Sequence, residues 1–246
     1  MDDPSRNAGL PPLPAPLAAA FVAAAGGGGK RERTQAALVL AAVNVFCARG
    51  VAAATVQEIA QVAGMTPATV YNHFSSKEAL VERVAITLGD GLHQAIVESQ
   101  DGVDDAAERM AIGQRRYLGL AAEAPAWALL IIDVARANPE LAMRLQAYPL
   151  ADLKQGLRQK RFKVPSEAAA MDAITGVCIA GMQTIALGLA PARHDVAIAT
   201  VVLRALGMDA AEAAEVARRP LPPLLKAEPQ AGAPAAKRTR ATRRRS

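Results

Sequence analysis

Aromatic side chains are scarce in this chain: four Phe, three Tyr and one Trp amount to 3% of 246 residues. A cage for a planar cation needs several stacked rings with acids beside them, so that class of ligand is disfavoured. Cysteine is scarcer still. Cys47 and Cys178 stand far apart among apolar neighbours and read as two buried, reduced thiols, with a redox-sensing pair as the alternative. The three histidines, His73, His93 and His194, are scattered, so no metal-ligand cluster is expected and no cofactor is implied. There is no Gly-x-Ser-x-Gly elbow, phosphate-binding glycine loop, zinc spacing or pair of carboxylates on one helix face, and an enzyme is not expected. No apolar run is expected to reach the ~18–20 residues that cross a bilayer, which leaves no membrane partner and a cytoplasmic location. Strand-like alternation of any length is missing as well, so the chain reads as all-α.

Charge is unevenly placed. The formal net charge is +5, yet residues 237–245 alone hold six cations (Lys237, Arg238, Arg240, Arg243, Arg244, Arg245) and no acid. The body over 30–236 is close to neutral and is not a generic polyanion binder; affinity for nucleic acid has to come from a placed motif. Residues 1–29, rich in Pro, Ala and Gly, read as an unstructured extension. Within them Leu17–Ala25 loosely resembles the apolar part of a signal peptide, but its leading segment is acidic. Residues 219–246, Pro-rich and then Arg-rich, read as an unstructured tail that is either simply solvated or a non-specific phosphate tether.

What is present concentrates in residues 55–74, TVQEIAQVAGMTPATVYNHF. Thr55 followed by Glu58 is a capping box. Ile59, Ala60 and Ala63 make the buried side of a short helix, Gly64 supplies a positive φ, Thr66 caps a second helix and Pro67 opens it. Val70 returns an apolar side chain to the crossing. This is a helix-turn-helix, whose second helix enters the DNA major groove. A plain helical hairpin leaves unexplained the polar group on that helix: Thr66, Thr69, Tyr71, Asn72 and His73.

Upstream, Leu38, Ala41, Ala42, Val45 and Phe46 recur at helical spacing from about Thr34 to Arg49, and Gly50 stands as the C-cap. Downstream, Ser75-Ser76-Lys77-Glu78 reads as another capping box opening a long amphipathic helix through Leu80, Val84, Leu88, Leu92 and Ile96. With these flanks the chain resembles the TetR (tetracycline-repressor-like) family of regulators over about 50 residues. The resemblance implies an N-terminal three-helix DNA-binding domain (30–76), joined by a long helix to a ligand-binding and dimerisation domain (77–218). It implies that Thr55 and Lys77 hold phosphates at the groove edges and that Thr66, Pro67, Thr69 and Asn72 touch base edges, with Tyr71 and His73 on phosphate. Ala68 departs from the glycine often found there in the family.

The rest is helical by pattern. Helices are predicted from about Asp104 to Ala122, from Pro125 to Ala137, and from Pro139 to about Lys160. Lys154, Arg158, Lys160, Arg161 and Lys163 gather at the end of the last, suiting a helix C-terminus, with a second DNA contact as the alternative. Ser166 caps an apolar helix reaching Leu189, and further helices span Asp195–Leu206 and Asp209–Arg218. The helix 167–189 is apolar nearly all round and is expected to be buried on more than one face. Gly176, Ala180, Gly181 and Gly188 allow close approach, and with Val201 and Val202 they suggest half of a symmetric four-helix interface; the resemblance places a homodimer contact there. It also implies a small-molecule pocket, for which Met110, Gln114, Tyr117, Trp127, Met143, Tyr148, Met171, Cys178 and Gln183 are the candidates. A neutral or fatty, flexible ligand suits Met- and Ala-rich walls. The reading is a homodimeric repressor of a palindromic operator released by a small effector. An architectural DNA-coating protein using the basic tail, or a regulator without a ligand, are the alternatives.

Overall fold

The computed structural model of the chain describes residues 29–224 and a few isolated positions before them. The expected extension therefore falls largely, and the basic run 237–245 wholly, outside the described residues. Among those residues there are ten helices and no strand: α1 Lys30–Ala53, α2 Val56–Val62, α3 Pro67–His73, α4 Lys77–Ser99, α5 Ala106–Glu123, α6 Pro125–Ala137, α7 Pro139–Arg158, α8 Glu167–Ala186, α9 His194–Ala205 and α10 Ala210–Arg218.

Local chemistry sets most boundaries. α1 begins a turn earlier than expected because the Glu32 carboxylate accepts the Gly29 N–H at 2.7 Å. It breaks at Gly50, where φ is 75°, before one last turn. Pro125 and Pro139 each occupy a first helical turn, where the missing N–H costs nothing. Ser166 and Asp209 accept the N–H groups that open α8 and α10. Ser76 caps α4 through the Ala79 N–H at 3.2 Å, but the third residue in is Ala79 rather than an acid, so the expected capping box is a simple cap.

One apolar core runs without a gap from α1, α2 and α3 along α4 into α6 and α8, with Phe46, Ile59, Leu80, Leu88 and Trp127 almost wholly buried. A second packs α5, α7, α8, α9 and α10 around Leu153, Ile174, Val202 and Leu203. α4 thus belongs to both ends of the molecule. At its middle, Gly89 lies so near α7 that a Cβ there would sit 3.2 Å from Leu145 Cδ2.

Three expectations need correction. Two helices, α1 and α8, are long and apolar enough to cross a membrane by length and composition, because alanine keeps their hydropathy high; α1 spends its apolar face on the first core. The tail does not begin at 219: the chain stays docked through Leu224, held by Arg219, whose Nη1 lies 2.6 Å from Glu108, and by Arg116, which donates to the Pro222 carbonyl. The basic group after α7 is not a free patch throughout, since Arg161 pairs with Asp105 at 2.9 Å and with Glu212.

Candidate functional site

The reading surface is built from caps. Thr55 Oγ1 accepts the Glu58 N–H at 3.2 Å, while the Glu58 carboxylate accepts both the Thr55 N–H at 3.0 Å and its hydroxyl at 2.9 Å. These bonds hold the Glu58 carboxyl below the usual range. Gly64, with φ of 66°, turns the chain so that the Met65 N–H reaches the Ala60 carbonyl at 2.8 Å. Thr66 caps α3 through the Thr69 N–H at 3.2 Å, and the two threonine hydroxyls lie 3.0 Å apart. Val70 and Phe74 turn into the core, which leaves Thr66, Pro67, Tyr71 and Asn72 facing outward with Thr69 partly covered.

Two expected phosphate contacts are otherwise engaged. The ammonium of Lys77 donates to the carbonyls of Val51, Ala52 and Ala54, each at 3.1 Å. An ammonium has three N–H groups, so none is left over. The cause is the break at Gly50, which strips the last carbonyls of α1 of intrahelical partners. His73 is half-buried and its Nδ1 is enclosed without a partner, so only its other edge is open to a backbone. Thr55 has its hydroxyl proton on Glu58 and approaches a phosphate only by releasing it.

A cavity of about 290 Å³ lies between α4, α5, α6, α7 and α8. Met110, Gln114, Tyr117, Tyr148 and Cys178 line it as expected from the sequence. The other four candidates do not. Trp127 is fully buried in the core that joins the two ends; Met143 is 65% exposed on the outer face of α7; Met171 packs against the second core. Gln183 points aside because the inward stripe of α8 is Ile174, Cys178 and Met182, spaced four apart. Sequence reasoning missed His93, Arg109, Asp152, Ile131 and Met182. His93 stacks on Tyr148 at an interplanar angle of 7°, and Arg109 Nε pairs with Asp152 Oδ1 at 2.8 Å. The i, i+4 apolar phase of α8 was the one signal that pointed to Met182.

The cavity is electrically quiet. Burial, with help from the nearby Arg109 charge, depresses the His93 imidazole to about 4, so it is neutral at physiological pH. Burial pushes the Cys178 thiol up to about 12 and the Tyr117 phenol well above its ordinary value. Burial also raises the Asp152 carboxyl, and the Arg109 partner works against that shift. Arg136 sits at the rim, largely exposed and near Asp133. Two buried polar atoms on the wall have no partner: Gln114 Oε1 and Tyr117 Oη.

Comparisons with known proteins follow the same division. Residues 38–84 match the family described as bacterial regulatory proteins, tetR family, and residues 105–219 match the tetracyclin repressor-like C-terminal domain. The HTH-type transcriptional regulator TtgR of Pseudomonas putida is 38% identical over 79 residues, a match spanning 30% of this chain and 36% of TtgR. The probable HTH-type transcriptional regulator ArpR of the same species is 29% identical over 180 residues, covering 70% of this chain and 75% of ArpR. The crystal structure of RolR in complex with resorcinol aligns with a TM-score of 0.68 at 32% identity, over 80% of this chain and 98% of RolR. The chain belongs to the TetR family. Like other TetR-family proteins it is an all-α, DNA-binding transcriptional regulator and not an enzyme.

In this TetR-family chain the small residues of α8 divide into two groups. Gly181 serves internal packing, since a Cβ there would fall 2.8 Å from Leu118 and 3.1 Å from Ile198. Val202 is fully buried in its own chain, and Gly188, with φ of 70°, forms the turn that ends α8. Neither Gly181 nor Val202 is open to a second copy. Gly176, Ala180 and Val201 do face outward, together with Ile179 and Leu187, which the sequence reading passed over.

Proposed function

We propose that the chain is a homodimeric repressor that binds a roughly palindromic operator and is released by a compact, neutral, hydroxyl-bearing molecule. The observation that carries the ligand class is the pair of unpartnered atoms, Gln114 Oε1 and Tyr117 Oη, in a wall whose Arg109 and Asp152 are already paired with each other. An enclosed amide oxygen without a partner costs on the order of 1–3 kcal/mol, and a ligand hydroxyl that donates to Gln114 and accepts from Tyr117 removes that cost. The volume of about 290 Å³ is at the lower end of ligand pockets, which favours a compact ring over a long acyl chain. Arg109 and Asp152 satisfy each other's charge on the wall, which argues against an ion as ligand. Resorcinol, the ligand held by RolR, is a dihydroxylated ring of this kind.

Pairing through Gly176, Ile179, Ala180, Leu187 and Val201 removes from water an apolar strip that a single chain leaves exposed. It also supplies two copies of α3 for successive major grooves, ~34 Å apart. The exposure of Thr66, Pro67, Tyr71 and Asn72 supports reading them as the residues that meet the groove, with Thr55, Thr69, His73 and Lys77 in support. The protein works in the cytoplasm, on double-stranded DNA. The test is selection of bound duplexes from a random pool, a footprint on the winner, and release by resorcinol against stearate. One short, two-fold symmetric footprint lifted by resorcinol supports the reading. Uniform protection of all DNA, or release by stearate alone, overturns it.

A further inference from the structure

We propose that the ligand reaches the cavity through the cleft at the α4–α5 turn, and that the Arg109–Asp152 pair is the gate between the two. The proposal rests on the reading of the cavity as a ligand site.

The cavity and the cleft share a wall. Val97, Gln100 and Arg109 line both. On α7, Asp152 borders the cavity, and Gln155, one turn on, borders the cleft. The sides of this opening are fixed. Gln100 is buried and donates Nε2 to the Arg109 carbonyl at 2.9 Å, while Gln155 donates Nε2 to the Asp104 carbonyl at 3.1 Å. The Arg109 side chain is held more loosely. Its guanidinium meets Asp152 through Nε alone, 2.8 Å from Oδ1, where a two-pronged pair would be stronger. What closes the opening is therefore one side-chain bond between two fixed sides.

Beyond the gate the way is clear. Arg109, Gly113 and Tyr117 follow one another four apart on the cavity face of α5. A Cβ on Gly113 would meet nothing within 4 Å. A glycine inside a helix weakens it, and here its missing side chain leaves room to pass. Gln114 and Tyr117, whose polar atoms lack partners, stand about 7.5 and 12 Å farther along α5 than Arg109. On the outer side, Glu98, Asp101 and Asp104 line the cleft, and Arg109 is the one cation among its lining residues. A guanidinium that swings off Asp152 therefore finds carboxylates to receive it, and an arriving anion is repelled. The swing leaves Asp152, only 14% exposed, without its partner, which is costly unless another donor takes the place. A hydroxyl supplies one such donor in passing; a hydrocarbon supplies none. The gate thus favours the same hydroxylated class that Gln114 and Tyr117 can hold.

The test uses the full chain and resorcinol, with affinity from calorimetry and rates from stopped-flow emission of Trp127, the one tryptophan. Ile131, one turn along α6 from Trp127, lines the cavity. Glu98, Asp101, Val103 and Asp104 line the cleft but not the cavity, so changes there act on passage rather than on the bound state. Removing the receiving carboxylates together, as Glu98→Gln, Asp101→Asn and Asp104→Asn, should slow association and dissociation alike by about fivefold, with the dissociation constant unchanged. Val103→Phe, which narrows the cleft without altering its charge, should also slow both rates in equal measure. Arg136 and Ala142 form another rim at the start of α7, about 15 Å from Asp152 along that helix; Arg136→Phe should leave both rates as they are. A merely structural role would move the affinity or the melting temperature rather than the two rates in step. Unchanged rates in the carboxylate variant overturn the gate. Unchanged rates in Val103→Phe, or slowing by Arg136→Phe, overturn the passage. Calorimetry that finds no resorcinol binding strikes the ligand reading and the passage with it, whereas tight binding with unchanged rates strikes the passage alone.

Discussion

The helix pair α2–α3 and the helices around the cavity are both packed apolar bundles, yet they are held in shape over different distances. In the reading pair nearly every defining bond joins residues three to five apart: Thr55 with Glu58, Thr66 with Thr69, Met65 with Ala60. Around the cavity the defining bond is long-range, joining Arg109 to Asp152 across α5 and α7. The reader is shaped by local chemistry and can keep its form while it moves. The sensor is shaped by the mutual position of five helices, so its cavity responds to whatever shifts them.

This contrast fails first if the two ends are energetically separate, and the sharpest probe is Trp127 in the core they share. Trp127→Ala is expected to cost about 3–5 kcal/mol and to lower one common urea transition followed by circular dichroism; two separate transitions would show that the reader folds by itself. Next in size is Lys77→Ala. Stranding three carbonyls should cost about 1–3 kcal/mol of stability, with the salt slope of DNA binding unchanged. A slope reduced by about one unit at constant stability would return Lys77 to phosphate duty. Gln114→Leu should weaken binding of a hydroxylated ligand by about tenfold, roughly 1.4 kcal/mol, and leave operator affinity alone; calorimetry with resorcinol decides. Thr55→Ala removes a cap worth about 1 kcal/mol and should weaken DNA binding without touching the ligand.

A further effect concerns pH. The folded His93 takes up its proton near 4 rather than 6.5, so the unfolded chain binds more protons between those values and stability falls as pH drops through that window. Above about 6.5 the contribution is complete. His93→Phe, which keeps a ring against Tyr148, should flatten the melting temperature between pH 6.5 and 4.5. An unaltered profile would mean that other groups carry the acid sensitivity.

The same contrast explains what could be read from the chain before its structure. Thr55, Gly64, Thr66, Pro67, Pro125, Pro139 and Ser166 announce their roles through rules that span one helical turn, and each stands where those rules put it. The inward phase of α5 and α8 was partly legible, which is why Gln114, Tyr117 and Cys178 were found. Met143 was not placed correctly because residue type alone says nothing about which side of α7 meets the cavity. The engagement of Lys77 depends on carbonyls 23 to 26 residues away. Val202 is sealed inside the second core by residues far along the chain, which no local rule announces.

The fastening of Lys77 also makes α4 a rod of uneven stiffness. Its first turn is tied to α1 by three bonds, whereas its middle holds Gly89 and Gly91, each weakening a helix by roughly 1 kcal/mol relative to alanine. Bending is cheapest there, about 18 Å from Lys77 along the axis. That is also where Leu145, a wall of the cavity, leans on the rod. A small push on Leu145 is thus applied at the point of greatest compliance, and a bend of about 10° carries the reading end through about 3 Å by leverage over that arm.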